Sequence, residues 1–123
     1  LGFAATALPF AVAAGAASPG VFGAHHKTAQ IYVSQGGSET VGIYDAAGNQ
    51  VGQIGGFGNP AGLAVDRARN LYVADDLNDV VDVFPAGATS PSRVLQAGKN
   101  APKEVAIGPG GRVYASDITD YPA

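Results

Sequence analysis

Cysteine is missing from all 123 residues, which removes disulfides and thiolate metal sites from the reading. Histidine occurs only as the adjacent pair His25-His26. Neighbouring residues on an extended segment point to opposite faces, so the pair does not converge on one ion and reads as a polar surface segment. Nucleophilic hydrolysis needs a Ser or Cys, a base and an orienting acid brought together. With both histidines near the N-terminus and no Gly-x-Ser-x-Gly, no catalytic triad is expected within this chain. Basic clusters are absent as well. The seven Lys and Arg are scattered from Lys27 to Arg112 and the net charge is −3, whereas a nucleic-acid binder carries a basic face or stripe. Nucleic acid is therefore excluded as a partner.

Charge of either sign is missing from residues 1–24. An apolar run of about 7–15 residues followed by small ones is the make-up of a secretion signal's core and cleavage region. Leu1 to Ala14 would be that core, with Ala14-Gly15-Ala16 or Gly15-Ala16-Ala17 leading into cleavage and Ala24 as a later site. The alternative is an Ala-rich linker. Pro9, Gly15 and the Ser18-Pro19-Gly20 turn interrupt the roughly 20 apolar residues that a membrane helix needs, so no stable membrane span is expected. The signal reading places the rest of the protein outside the cytoplasm, in a periplasm or the extracellular space. The chain also opens on Leu1 without an initiator Met and is read as a piece of a longer product.

What the chain does have is glycine, with 18 Gly and 8 Pro against only 14% charged residues. That mixture suits an all-β protein joined by tight turns. Asn59 to Phe84 reads as three short strands, Gly62 to Asp66, Leu71 to Asp75 and Val80 to Phe84. Each is rich in β-branched or aromatic residues and bounded by turn formers. The text then repeats. Ile31-Tyr32-Val33-Ser34 lies 40 residues before Leu71-Tyr72-Val73-Ala74, and Val113-Tyr114-Ala115-Ser116 lies 42 after it. Val41-Gly42-Ile43-Tyr44 precedes Val81-Asp82-Val83-Phe84 by 40, and Pro60–Val65 returns 42 later as Pro102–Ile107.

A period near 40 with several strands per unit marks a β-propeller blade. The fold class is thus all-β, with antiparallel four-stranded blades. Blade one spans 30–54, blade two 60–96 and an incomplete blade three 102–123. No inner strand is found ahead of Gln30, and in a closed ring the far end of the chain would supply it. Phe57, on the crossing between blades one and two, is expected to pack between them. Propellers close with about 4–8 blades, so the region 25–123 is a partial ring whose partners include the missing blades of the same chain. Alone, its open faces and edges predict weak stability or association.

Pro60-x-Gly62-Leu63-Ala64-Val65-Asp66, Asn70-Leu71-Tyr72-Val73-Ala74-Asp75, Asn78 and Val81-x-Val83-Phe84 resemble the repeat of the NHL family of propellers. The resemblance runs from about Gln30 to Asp117. Arg69 departs from it where Gly is usual before Asn70, and Glu104 stands where Gly62 stood. It implies a ring of six blades with Gly62–Asp66 innermost. It also implies that Asp75 and Asn78 brace their turn through side-chain to backbone bonds, and Asp66 and Asn70 read the same way.

The acidic run Asp75, Asp76, Asp79 and Asp82 could suggest a calcium loop. It lacks the Gly of one, and Leu77 interrupts it, so it is assigned to the turn. Lactonase-like propellers, which this chain resembles in fold, place Asn or Asp metal ligands after the Pro of inner strands. Here those slots hold Ala61 and Lys103, with Glu104 next to them. These three are candidate channel-mouth or loop contacts. No catalytic, cofactor or metal residue is assigned and no cofactor is expected. The function expected is an exported, non-catalytic binding or scaffold module for a protein or small-molecule ligand. The alternative is a metal-dependent lactonase-like hydrolase whose ligands lie in other blades.

Overall fold

The computed structural model describes residues 12–14, 29–98 and 101–116, the first three by backbone alone. Among the described residues ten strands form three antiparallel sheets, each in simple up-and-down order. The first holds β1 (Val12–Ala14), β2 (Gln30–Gln35), β3 (Thr40–Asp45) and β4 (Gln50–Ile54). The second holds β5 (Pro60–Val65), β6 (Leu71–Asp75), β7 (Val80–Phe84) and β8 (Arg93–Gln96). The third is the pair β9 (Val105–Ile107) and β10 (Val113–Ala115). No helix among the described residues is long and apolar enough to cross a membrane.

Strand β1 corrects the sequence reading. The first sheet does have an inner strand in this chain, Val12–Ala14, drawn from the segment assigned to a secretion signal or linker. The remaining cleavage candidates, His25–Thr28 and the tail from Asp117 lie outside the described residues.

One pairing recurs in all three sheets. Ala13 lies opposite Tyr32, Ala64 opposite Tyr72 and Ala106 opposite Tyr114. A small residue facing a tyrosine across a strand pair leaves room for the ring on that face.

Because side chains alternate across a strand, the second sheet presents two apolar faces. Leu71, Val73 and Phe84 join Tyr32, Val41, Ile54, Phe57 and Leu63 in a core between the first and second sheets. Tyr72, Ala74, Val81 and Val83 join Val105 in a second core, which Ile107 and Val113 extend from the third sheet. All five residues of β6 are buried in consequence. Phe57 sits in the first core with its ring edge-on to Phe84, centroids 5.7 Å apart. A quadrupolar attraction adds to area burial in that geometry.

Glycine is required where β5 meets β9. A Cβ on Gly62 would fall 2.6 Å from both the Glu104 Cα and the Lys103 carbonyl oxygen. Three turns at the opposite end share one build. In 45–49, 66–70 and 108–112 the first amide donates to the fifth carbonyl and the fourth amide to the first carbonyl. The fourth residue of each has positive φ, in Gly48, Arg69 and Gly111. Arg69 therefore holds a left-handed conformation where glycine is easier.

Candidate functional site

The β2–β3 loop, the crossing before β5, the β6–β7 loop and the segment before β9 gather at one end of the sheets. Pro60 pairs with Asp75 there. A Cβ on Gly36 would meet the Asn59 carboxamide oxygen at 2.7 Å. Ala61, Lys103 and Glu104 all lie at this end, Ala61 half-buried and the other two exposed.

Asp75 is fully buried and accepts three hydrogen bonds. They come from the Gly58 amide at 2.9 Å, the Asn59 amide at 2.9 Å and the Asn78 carboxamide at 2.7 Å. A buried carboxylate with its oxygens so filled is satisfied by the backbone it organises. Asp76 accepts from the Asn59 carboxamide at 3.0 Å and pairs with the Lys103 ammonium. Its own amide donates to the Asn59 carbonyl at 3.1 Å. Asp79, at positive φ, accepts the Ala101 amide at 2.9 Å. The β6–β7 loop thus holds the crossings on either side of the second sheet. Among the described residues no three His, Cys, Asp or Glu side chains are grouped to hold a metal ion.

At the far end Asp66 accepts the Asn70 amide, the Asn70 carboxamide and the Tyr72 hydroxyl at 2.9, 2.9 and 3.0 Å. Burial pushes its carboxyl up, but these bonds together outweigh it and hold the group below its ordinary range. Asp82, half-buried on β7, is pushed the other way by burial and by the negative charge of Asp75.

One surface residue of this end was missed in the sequence. Leu77, which there only interrupts an acidic run, is 70% exposed at the tip of the β6–β7 loop. Its neighbours are pinned: a Cβ on Gly58 would lie 2.9 Å from the Leu77 Cβ. The available signal was the leucine itself, an apolar residue in a turn of four Asp and Asn.

No family model matches the chain. A human protein described as NHL-repeat-containing protein 4 is 32% identical over 85 residues, which cover 65% of this chain and 68% of that protein. The chain belongs to the NHL-repeat family. Among solved structures, Kuenenia stuttgartiensis hydrazine synthase, a β-propeller, superposes with a TM-score of 0.65 at 22% identity. The match takes in 72% of this chain and 26% of that one, so the chain spans about a quarter of that structure. At that identity the likeness speaks for fold alone. The NHL-repeat chain is accordingly an incomplete β-propeller whose sheets are its blades.

Proposed function

We propose that this NHL-repeat chain is a non-catalytic binding module whose ligand is a protein, seated on the blade end that carries Leu77, Lys103 and Glu104. The observation that carries the reading is the use of every acidic side chain of the β6–β7 loop that lies at this end. Asp75, Asp76 and Asp79 are bound to backbone amides, a carboxamide or Lys103. They rigidify a loop whose tip is an exposed leucine. A rigid scaffold displaying an apolar anchor beside charges of both signs suits protein recognition. Lys103 supplies a positive charge at a slot where a cation ligand would have to be neutral or acidic, and this weighs against the lactonase-like reading.

The test is affinity capture with the natural chain and with Leu77→Asp, after confirming equal thermal stability. A defined protein held by the first and lost from the second supports the module. Metal-dependent turnover of simple lactones by the purified chain would overturn the non-catalytic reading.

Export belongs to the same proposal and rests on the uncharged, Ala-rich composition of residues 1–24. The pairing of Val12–Ala14 with β2 favours a second reading, in which this segment stays in the protein as a blade strand. The N-terminal sequence of the protein secreted from its own cells separates the two.

A further inference from the structure

We propose that the end of the blades opposite Leu77 is a docking surface for a carboxylate-rich segment of another protein, held by arginines that the fold gathers there. The four arginines, Arg67, Arg69, Arg93 and Arg112, are scattered in the sequence. The up-and-down course of the sheets brings all four to one end. Arg67 and Arg69 lie in the turn 66–70 that leaves β5, and Arg112 closes the matching turn 108–112 that leaves β9. Arg93 opens β8 opposite Val83, at the same foot of the second blade. Its guanidinium donates to the Tyr72 hydroxyl, which in turn donates to Asp66.

The acids of this end are turned inward. Asp45 accepts the Ala47 and Asn49 amides and the Asn49 carboxamide. Asp66 is taken by Asn70 and Tyr72. Among the described residues no carboxylate forms an ion pair with Arg67, Arg93 or Arg112, and all three are exposed. The Tyr72 hydroxyl keeps its proton, since burial and the bond to Asp66 push its titration up. Its contact therefore orients Arg93 without cancelling the charge.

An exposed guanidinium offers a planar fork that takes a carboxylate or a phosphate by two parallel bonds. The extent of the patch decides between them. At the other end the described residues carry Glu39, Asp75, Asp76, Asp79 and Glu104 against Lys103, so the field changes sign along the strands. Exposed charges act over only about 8 Å at physiological salt. A nucleic acid or a lipid surface would run on past the arginines onto negative ground, whereas a short acidic segment ends where they end. Complementary charge of that reach sets which partner is admitted.

The experiment is fluorescence anisotropy of a labelled oligoglutamate peptide titrated with the 123-residue chain at low ionic strength. The double variant Arg67→Gln with Arg112→Gln is compared with Gln53→Glu plus Gln96→Glu, which changes net charge equally on the exposed edges of β4 and β8. Each is checked for unchanged circular dichroism. Arg93→Gln replaces the first pair should that pair misfold. The expected result is saturable binding that fades as salt is raised. The arginine pair should weaken it about ten-fold, the worth of two exposed ion pairs, or Arg93→Gln alone about three-fold. The glutamate pair should leave it unchanged. Absence of binding by the natural chain overturns the proposal, as does equal weakening by both pairs or none by the arginine variant. Tighter binding of a single-stranded oligonucleotide or of phosphatidylserine vesicles than of the peptide also overturns it, assigning the arginines to phosphate.

Discussion

Asp75 and Asp82 sit near one another on β6 and β7 and are opposites in what they do. Asp75 fills its oxygens with two half-buried amides and the carboxamide of the exposed Asn78. Replacing it with Ala removes the acceptor of both amides, at about 1–3 kcal/mol for each group left unmatched, while the Asn78 carboxamide can turn to water. Asp75→Ala should therefore lower the unfolding free energy by about 2 kcal/mol or more, read by urea denaturation. A loss below about 1 kcal/mol would mean that the crossing before β5 holds itself.

Asp82 has a folded carboxyl raised above its ordinary 3.8 by burial and by Asp75. The folded state then binds the proton more tightly than the unfolded chain does, so stability falls as pH rises from that value through the raised one. Asp82→Asn should raise the melting temperature at pH 7, and the gain should shrink as pH falls through the raised value towards 3.8. Asp66 runs the other way. Its depressed carboxyl contributes above 3.8, and that contribution is lost as pH falls through the lower folded value. Arg69 shows the limit of residue-level reading. Its departure from the expected Gly was visible, and the structure resolves it as a left-handed residue at φ 68 rather than a changed turn.

At the scale of elements, the strands were legible because alternation and turn formers coincide. β6 and β7 fall where the Leu71–Asp75 and Val80–Phe84 runs place them. Tyr72 tests that register. Its ring is in the core between the second and third blades, with its hydroxyl on Asp66. Tyr72→Ala should cost about 3–5 kcal/mol by denaturation. Tyr72→Phe should lose only the hydroxyl's bond, about 1 kcal/mol. A cost for the alanine variant under about 1 kcal/mol would put the ring on the surface and shift every strand of the blade by one residue.

Gly62 is the matching test for the approach of β5 to β9. Since the obstacle to a Cβ there is backbone, Gly62→Ala should destabilise by about 1–3 kcal/mol, the usual cost of overpacking. An unchanged midpoint would show that the two strands can part freely. β1 was not legible for a specific reason. Pro9-Phe10-Ala11-Val12-Ala13-Ala14 matches Pro60-Ala61-Gly62-Leu63-Ala64-Val65 in its Pro and its apolar-Ala step, but 51 residues away instead of 40 to 42. The longer spacing hides the match, and its small uncharged residues read equally well as the core of a leader.

For the whole molecule, the period near 40 carried the fold, since each unit buries an apolar face only against its neighbour. What the period could not show is which faces remain open, because that depends on exposure and not on residue type. Tyr32, Tyr72 and Tyr114 look alike in the sequence, yet the first two are buried and Tyr114 is exposed. The candidate binding end was legible only as three slots, Ala61, Lys103 and Glu104. The Asp76–Lys103 pair and the display of Leu77 come from how the loops fold over each other.

The account stands on one unit repeated three times, inner strand included. The most direct measurement is the set of cross-strand nuclear Overhauser effects between backbone protons in the 123-residue chain. Contacts for Ala13–Tyr32, Ala64–Tyr72 and Ala106–Tyr114 together are predicted. Finding the latter two without the first, with the amides of 12–14 exchanging at solvent rates, would contradict it and return those residues to a leader or linker.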